Sequence, residues 1–273
     1  MSPEELAAFY ERPPETLAAD PVWERAHEAL LGHLEAGRVR AAERRDDGTW
    51  AAVPWVKQAI LTGFRRGAIV EYPTGGASGP ALDKSSYPPR RFSLHEGVRL
   101  VPGGSAVRRG AHLARGVVIL PPAYVNVGAW VGEGTMIDSH ALVGSCAQLG
   151  ARVHLSAGAQ IGGVLEPAGA VPVVVEDEAF VGALAGVFEG VCVRARAVLA
   201  AGVVLTGGST LFDLVRERTW RGEVPAGAVV VPGGRPATSA WGRAQGLVVA
   251  APVIVKYRDA RTDAATALEE ALR

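Results

Sequence analysis

Aromatic side chains make up only 6% of this 273-residue chain, which argues against a core organised around stacked rings. Cysteine is scarcer still. Cys146 and Cys192 belong to no CxxC pair and no Cys/His cluster with zinc spacing, so both read as buried thiols in a reducing compartment. An excess of one charge is missing too: Lys plus Arg and Asp plus Glu stand at 28 each, leaving no positive field to condense on nucleic acid or an acidic membrane. No stretch approaches the ~18 consecutive apolar residues that span a bilayer, and the acidic start MSPEELAAFYERPPE lacks the apolar centre of a signal peptide. These absences point to a cytoplasmic protein with small-molecule partners.

What is abundant is glycine, 34 in all, with much alanine and valine. Such a composition suits repeated tight turns and thin strands. The first third differs from the rest. Residues 2 to about 66 read as helical with one hairpin: Ser2-Pro3-Glu4-Glu5 is a capping box, and Asp20-Pro21 repeats the start signal. Trp23, Ala26, Leu30 and Leu34 then share a helical face that Gly37 ends. Asp47-Gly48 marks the hairpin, and a further helix runs through Trp55, Ala59, Ile60 and Phe64. Residues 73 to 90, rich in glycine, proline and serine, read as a loop or linker.

From residue 98 a fixed period takes over. Val101, Val107, Leu113, Ile119, Val125, Val131, Ile137, Val143, Leu149, Leu155 and Ile161 are spaced six apart without a miss, and a small or β-branched residue follows four places after nearly every one. The series slips over residues 163 to 174, resumes from Val175 to Leu205, is interrupted again over 207 to 222, and closes around Val224 and Val230. Each hexapeptide is a short strand plus a corner, and three make one triangular coil, with the aliphatic residue inside and the small one at the turn. A sandwich would instead alternate with period two. The expected architecture is mainly β: a parallel β-helix over 98–234, an N-terminal helical domain with hairpin and linker over 1–97, and a C-terminal extension over 235–273. A short closing helix is expected over Asp259 to Arg273, where Ala264, Leu268 and Leu272 share a face.

Longer motifs sharpen this. Glu133-Gly134-Thr135-Met136-Ile137-Asp138, continuing as SHALVGSCAQLG, resembles the tetrahydrodipicolinate N-succinyltransferases of bacterial lysine and diaminopimelate synthesis, as do HLSAGAQIGGVLEP and VPAGAVVVPG. GRVRAAERRDDGTWAAVPWVKQAIL resembles their N-terminal domain, so the likeness spans roughly residues 20 to 258. The resemblance implies a left-handed coil and a homotrimer with active sites between subunits. It also implies acyl-CoA as co-substrate, with no metal and no permanently bound cofactor. Asp138 matches the aspartate that contacts the acceptor's amino group, and Arg99 an arginine that binds the acceptor. Residue chemistry agrees, because an amine attacks a thioester only when unprotonated and a carboxylate can orient it and take its proton.

The chain departs from the family where Gly-Ala-Arg-Ser-Glu is expected and Gly182-Ala183-Leu184-Ala185-Gly186 stands. That loses a cation and the second active-site carboxylate, leaves an apolar wall, and resembles the related N-acetyltransferases. Glu189, matching Val-x-Glu-Gly, is a corner residue or a stand-in for the lost carboxylate. Ala183, Arg243 and Lys256 are expected along the coenzyme A track, with Arg235 nearby, since the family's Pro-Ser-Lys is Pro236-Ala237-Thr238 here. His140 and His154 read as packed coil residues, His140 also as a base beside Asp138. The expected activity is acyl transfer from coenzyme A to the amine of a tetrahydrodipicolinate-like or aminopimelate-like amino acid; the resemblance implies succinyl-CoA as donor, and the apolar stretch at Leu184 leans towards acetyl-CoA. The alternatives are acetyl transfer in specialised metabolism such as tabtoxin-type β-lactam biosynthesis, a non-catalytic scaffold, or a zinc anhydrase-like protein. The last is disfavoured because His112, His140 and His154 are 28 and 14 residues apart, off the six-residue repeat.

Overall fold

The structure is a computed structural model that describes residues 1–17, 19–73 and 80–258. Helix α1 (Pro3–Tyr10) begins on the Ser2/Glu5 capping box, with Pro3 in its first turn. Helix α2 (Pro14–Leu17) is a single turn, and α3 (Trp23–Glu35) buries Trp23, Ala26, Leu30 and Leu34 before the chain reverses at Gly37, φ 69°. Gly37 is required there, since a Cβ would stand 2.7 Å from the His112 ring. The hairpin pairs Ala42–Arg44 with Trp50–Ala52 and leads into α4 (Pro54–Arg66). The stretch read as a loop or linker holds a strand: Ala81–Lys84 pairs antiparallel with Ile69–Tyr72, which composition hid because Gly and Pro precede it. The expected closing helix over 259–273 lies outside the described residues.

From Arg99 the chain winds through two-residue strands that stack into three parallel sheets. One coil names the three faces: Met136–Ile137, Leu142–Val143 and Gln148–Leu149. Strands one coil apart pair in register 18 residues on, as Trp130 does with Gln148. The second residue of each strand points inward, and Val107, Ile137, Val143, Leu155, Val181 and Leu199 are all buried in a single aliphatic column. Each is worth about 1.5–3 kcal/mol of transfer free energy. The series breaks at its first member. Leu100, not Val101, is in register with Ile119, because the Pro102-Gly103-Gly104 turn holds one residue more than the other corners.

Both slips are insertions at one edge. Gln148 pairs with Val174 at a distance of 26 residues instead of 18, and Cys192 with Glu223 at 31. Beyond the last coil, Val253–Tyr257 extends the Met136 sheet. Cys192 occupies an outward position and is half-buried; Cys146 alone is the fully buried thiol expected of both. The helical part clamps the Gln148 face: Arg109 pairs with Glu28 and Glu35 at 2.8 and 3.0 Å, and Lys57 donates to Ala170 O.

Candidate active site

The strands Met136–Ile137, His154–Leu155, Phe180–Val181 and Val198–Leu199 each end in a four-residue corner, and these corners stack into one edge. Asp138-Ser139-His140-Ala141 lies above Ser156-Ala157-Gly158-Ala159, then Gly182-Ala183-Leu184-Ala185, then Ala200-Ala201-Gly202-Val203. The third residue of each is left-handed, and its N–H donates to the corner before: Gly158 to Ser139 O at 2.8 Å, Leu184 to Ala157 O at 3.0 Å, Gly202 to Ala183 O at 2.9 Å. The edge is therefore a backbone ladder that fixes where each side chain leaves it.

Asp138 is half-buried on this edge; Oδ1 accepts from Ser139 N at 2.6 Å and Oδ2 has no partner among the described residues. Its own N–H bonds Leu155 O at 2.9 Å, which brings it beside His154 on the neighbouring strand. That ring stacks on Phe180, centroids 5.0 Å apart. Burial depresses the His154 pKa against the pull of Asp138, so the imidazole is uncharged at neutral pH. His154 is packed, as expected, but its place beside the carboxylate went unread, although the coil repeat of 18 sets Met136 over it. His140 is exposed rather than packed, since its left-handed backbone (φ 62°) turns the side chain outward.

Arg99 shares the Met136 face with Asp138, two strands away, or about 10 Å. Lys256 is on the same sheet beyond the last coil, in register with Val229, five strands or about 24 Å in the opposite direction. Ala183 lies between them on the edge. Arg243 sits on the short helix Ala240–Ala244, and donates to Thr238 O of its own turn.

Glu189 is not brought to this edge. It stands on the next one, between the Leu142 and Gln148 faces, where Oε2 accepts from Gly207 N at 3.2 Å. There it borders a cavity lined by Phe188, Val164, Pro167, Val171 and Val204. The Leu184-Ala185-Gly186 stretch also does not form one wall. Leu184 is 74% exposed over Gly158, Ala185 is inside the prism, and Gly186 lies under the Phe188 ring, which comes 2.5 Å from where a Cβ would be. Only one of the three departures can present a side chain to a groove. The exposed apolar residues Val204 and Val248, on strands, and Trp241, on the helix Ala240–Ala244, were missed as well, because residue type does not distinguish an open face from a covered one.

His112, His140 and His154 fall on the Gln148 face, the Asp138 edge and the Met136 face, and among the described residues no three His, Cys, Asp or Glu side chains form a metal-ligand group. No helix among the described residues is long and apolar enough to cross a membrane.

Comparisons with known proteins bear on this arrangement. The profile described as tetrahydrodipicolinate N-succinyltransferase N-terminal matches residues 7–65, and that of the hexapeptide repeat of succinyl-transferase matches 172–207. The 2,3,4,5-tetrahydropyridine-2,6-dicarboxylate N-succinyltransferase of Nitrobacter winogradskyi is 43% identical over 91% of this chain and 89% of its own length. That of Aromatoleum aromaticum is 48% identical over 90% and 88%, and that of Rhodopseudomonas palustris 45% over 98% and 96%. A solved Campylobacter jejuni structure, titled as a 2,3,4,5-tetrahydropyridine-2-carboxylate N-succinyltransferase, superposes with a TM-score of 0.56 at 15% identity, covering 90% of this chain and 64% of that one. The fold is the left-handed parallel β-helix. With such identity carried over most of both lengths, the chain belongs to the tetrahydropyridine-dicarboxylate N-succinyltransferase family and is an N-acyltransferase.

Proposed function

We propose that the chain transfers an acyl group from coenzyme A to the amine of a tetrahydropyridine-dicarboxylate-like or aminopimelate-like amino acid, in grooves between the subunits of a cytoplasmic homotrimer. The helical part (1–97) is the collar in this reading and the coils (98–234) the catalytic body. The observation that carries it is Asp138, a half-buried edge carboxylate with one oxygen held by Ser139 N–H and the other free beside uncharged His154. The free oxygen accepts from the acceptor amine and orients its lone pair on the thioester carbonyl. As the C–N bond forms, the ammonium proton passes to Asp138; the C–S bond then breaks and the thiolate takes that proton. Arg99, along the same face, binds a carboxylate of the acceptor. Lys256 and Arg243, at the far end, meet the coenzyme A phosphates, and Ala183 leaves room for the pantetheine arm.

Glu189 joins Asp138 only if it comes from a neighbouring copy. Exposed Leu184, Val204 and Trp241, at 74%, 53% and 69%, support a covered edge. Asp138→Asn should lower kcat by about a hundredfold or more while the trimer still sediments as such. Near-normal turnover, or an active monomer, would sink the reading.

The names of the relatives support succinyl-CoA as donor. One observation favours acetyl-CoA: exposed Leu184 offers no charge to a succinyl carboxylate, whose uncompensated burial would cost several kcal/mol. Side-by-side kcat/KM values for the two donors decide, and Leu184→Arg should move preference about tenfold towards succinyl-CoA.

A further inference from the structure

On the Gln148 face, opposite the Asp138 edge, the hairpin closes over a cavity of about 170 Å³ lined by Arg40, Trp50, Trp130, Val174, Glu176 and Asp177. The Arg40 guanidinium lies 3.8 Å over the Trp130 ring and 5.4 Å from that of Trp50, and Nε donates to Gln148 Oε1 at 2.9 Å. Its two Nη groups have no acceptor among the described residues. Glu176 is fully used, accepting from Trp50 Nε1, Arg194 Nη1 and Ala195 N at 3.0, 3.0 and 3.1 Å. Asp177 commits only Oδ1, to Ala151 N at 2.8 Å. Arg40 and Asp177 attract one another but form no ion pair, because the two indoles and Gln148 hold the guanidinium in place and Ala151 holds the carboxylate. Burial pulls the Arg40 pKa down to about 10 against the pull of the Glu43 and Asp177 carboxylates.

We propose that this seam cavity binds a free α-amino acid, its carboxylate on the Nη groups of Arg40, its ammonium at Asp177 Oδ2, and its side chain against Val174 and the indoles. A zwitterion meets half-buried Arg40 and exposed Asp177 at once; a simple anion forgoes the Asp177 contact, and a simple cation forgoes that of Arg40. The site is separate from the acyl-transfer edge and does not depend on that reading.

Isothermal titration of the full chain with L-valine and L-glutamine tests it, with isovalerate and isobutylamine as the two halves of valine. At least one of the amino acids should bind saturably, one per chain, and each half should bind at least about tenfold more weakly than valine. Arg40→Gln and Asp177→Asn should each weaken amino-acid binding by about tenfold or more and leave basal acyl transfer intact. The Asp177→Asn side chain still accepts from Ala151 N, so it tests the ammonium contact even if Arg40→Gln fails to fold. Absence of saturable binding by both amino acids, isovalerate as tight as valine, or unchanged affinity in Asp177→Asn overturns the proposal.

Discussion

The inside of the prism and the core of the helical part are both buried, yet they meet the demands of burial in opposite ways. Along the coils the interior is aliphatic apart from Thr135, which donates to Gly150 O at 2.9 Å and accepts from Val153 N at 3.0 Å. Backbone groups bond the coils above and below, so side chains only fill space. The helical part instead buries Tyr10, Trp23, His27, Lys57 and Tyr87. His27 stacks on Trp23 at 4.9 Å and its Nε2 donates to Ser86 O at 3.0 Å, and Lys57 donates to the Ala170 carbonyl. Repetition lets a fold dispense with polar side chains inside; a non-repeating core has to place each one.

The sharpest break of this contrast is a charge inside the prism. Val181→Asp has no partner within reach, costs several kcal/mol and should abolish soluble folded protein, read by circular dichroism and sedimentation. Next comes the seam between the regions. Gly128 is left-handed at φ 75°, and a Cβ there would meet Ile60 Cδ1 at 2.8 Å and Cys146 Sγ at 2.9 Å, so Gly128→Ala should cost about 2–4 kcal/mol in denaturant unfolding.

The buried thiol of Cys146 gives a pH signature. Burial pushes its pKa from 9.0 up to about 12, so above pH 9 the unfolded chain holds fewer protons than the folded one. Stability is whole below pH 9 and falls by up to about 1.4 kcal/mol per unit towards pH 12. Cys146→Ala should remove that part of the alkaline slope. The smallest effect is expected at an open corner: Gly202, φ 74° with nothing within 4 Å, should lose only about 1 kcal/mol on mutation to Ala, from backbone strain alone. Equal losses at Gly128 and Gly202 would show that packing at the seam contributes little.

How much was legible follows the same divide. The coil positions from Val107 to Ile161 could be read at sight, and with them Asp138 at a corner; Arg99 was singled out by resemblance alone, and its face follows from the pairing of Leu100 with Ile119. The strand Ala81–Lys84 could not, because a two-stranded pairing leaves no period. Leu184, Ala185 and Gly186 read as one apolar wall because adjacent letters suggest adjacent surfaces; at a corner they point outward, inward and under a ring.

The sequence by itself determined the prism, since a six-residue period with small residues at the turns admits one way of burying its aliphatic series. Tertiary structure alone decided which edge each functional candidate occupies. Val187 ends the seventh strand after that of Ile137, one face beyond two full coils, so Asp138 and Glu189 stand on different edges of one chain. It also decided that Arg40 faces Asp177 across the seam without pairing, because that distance depends on how a non-repeating hairpin docks on a repeating face.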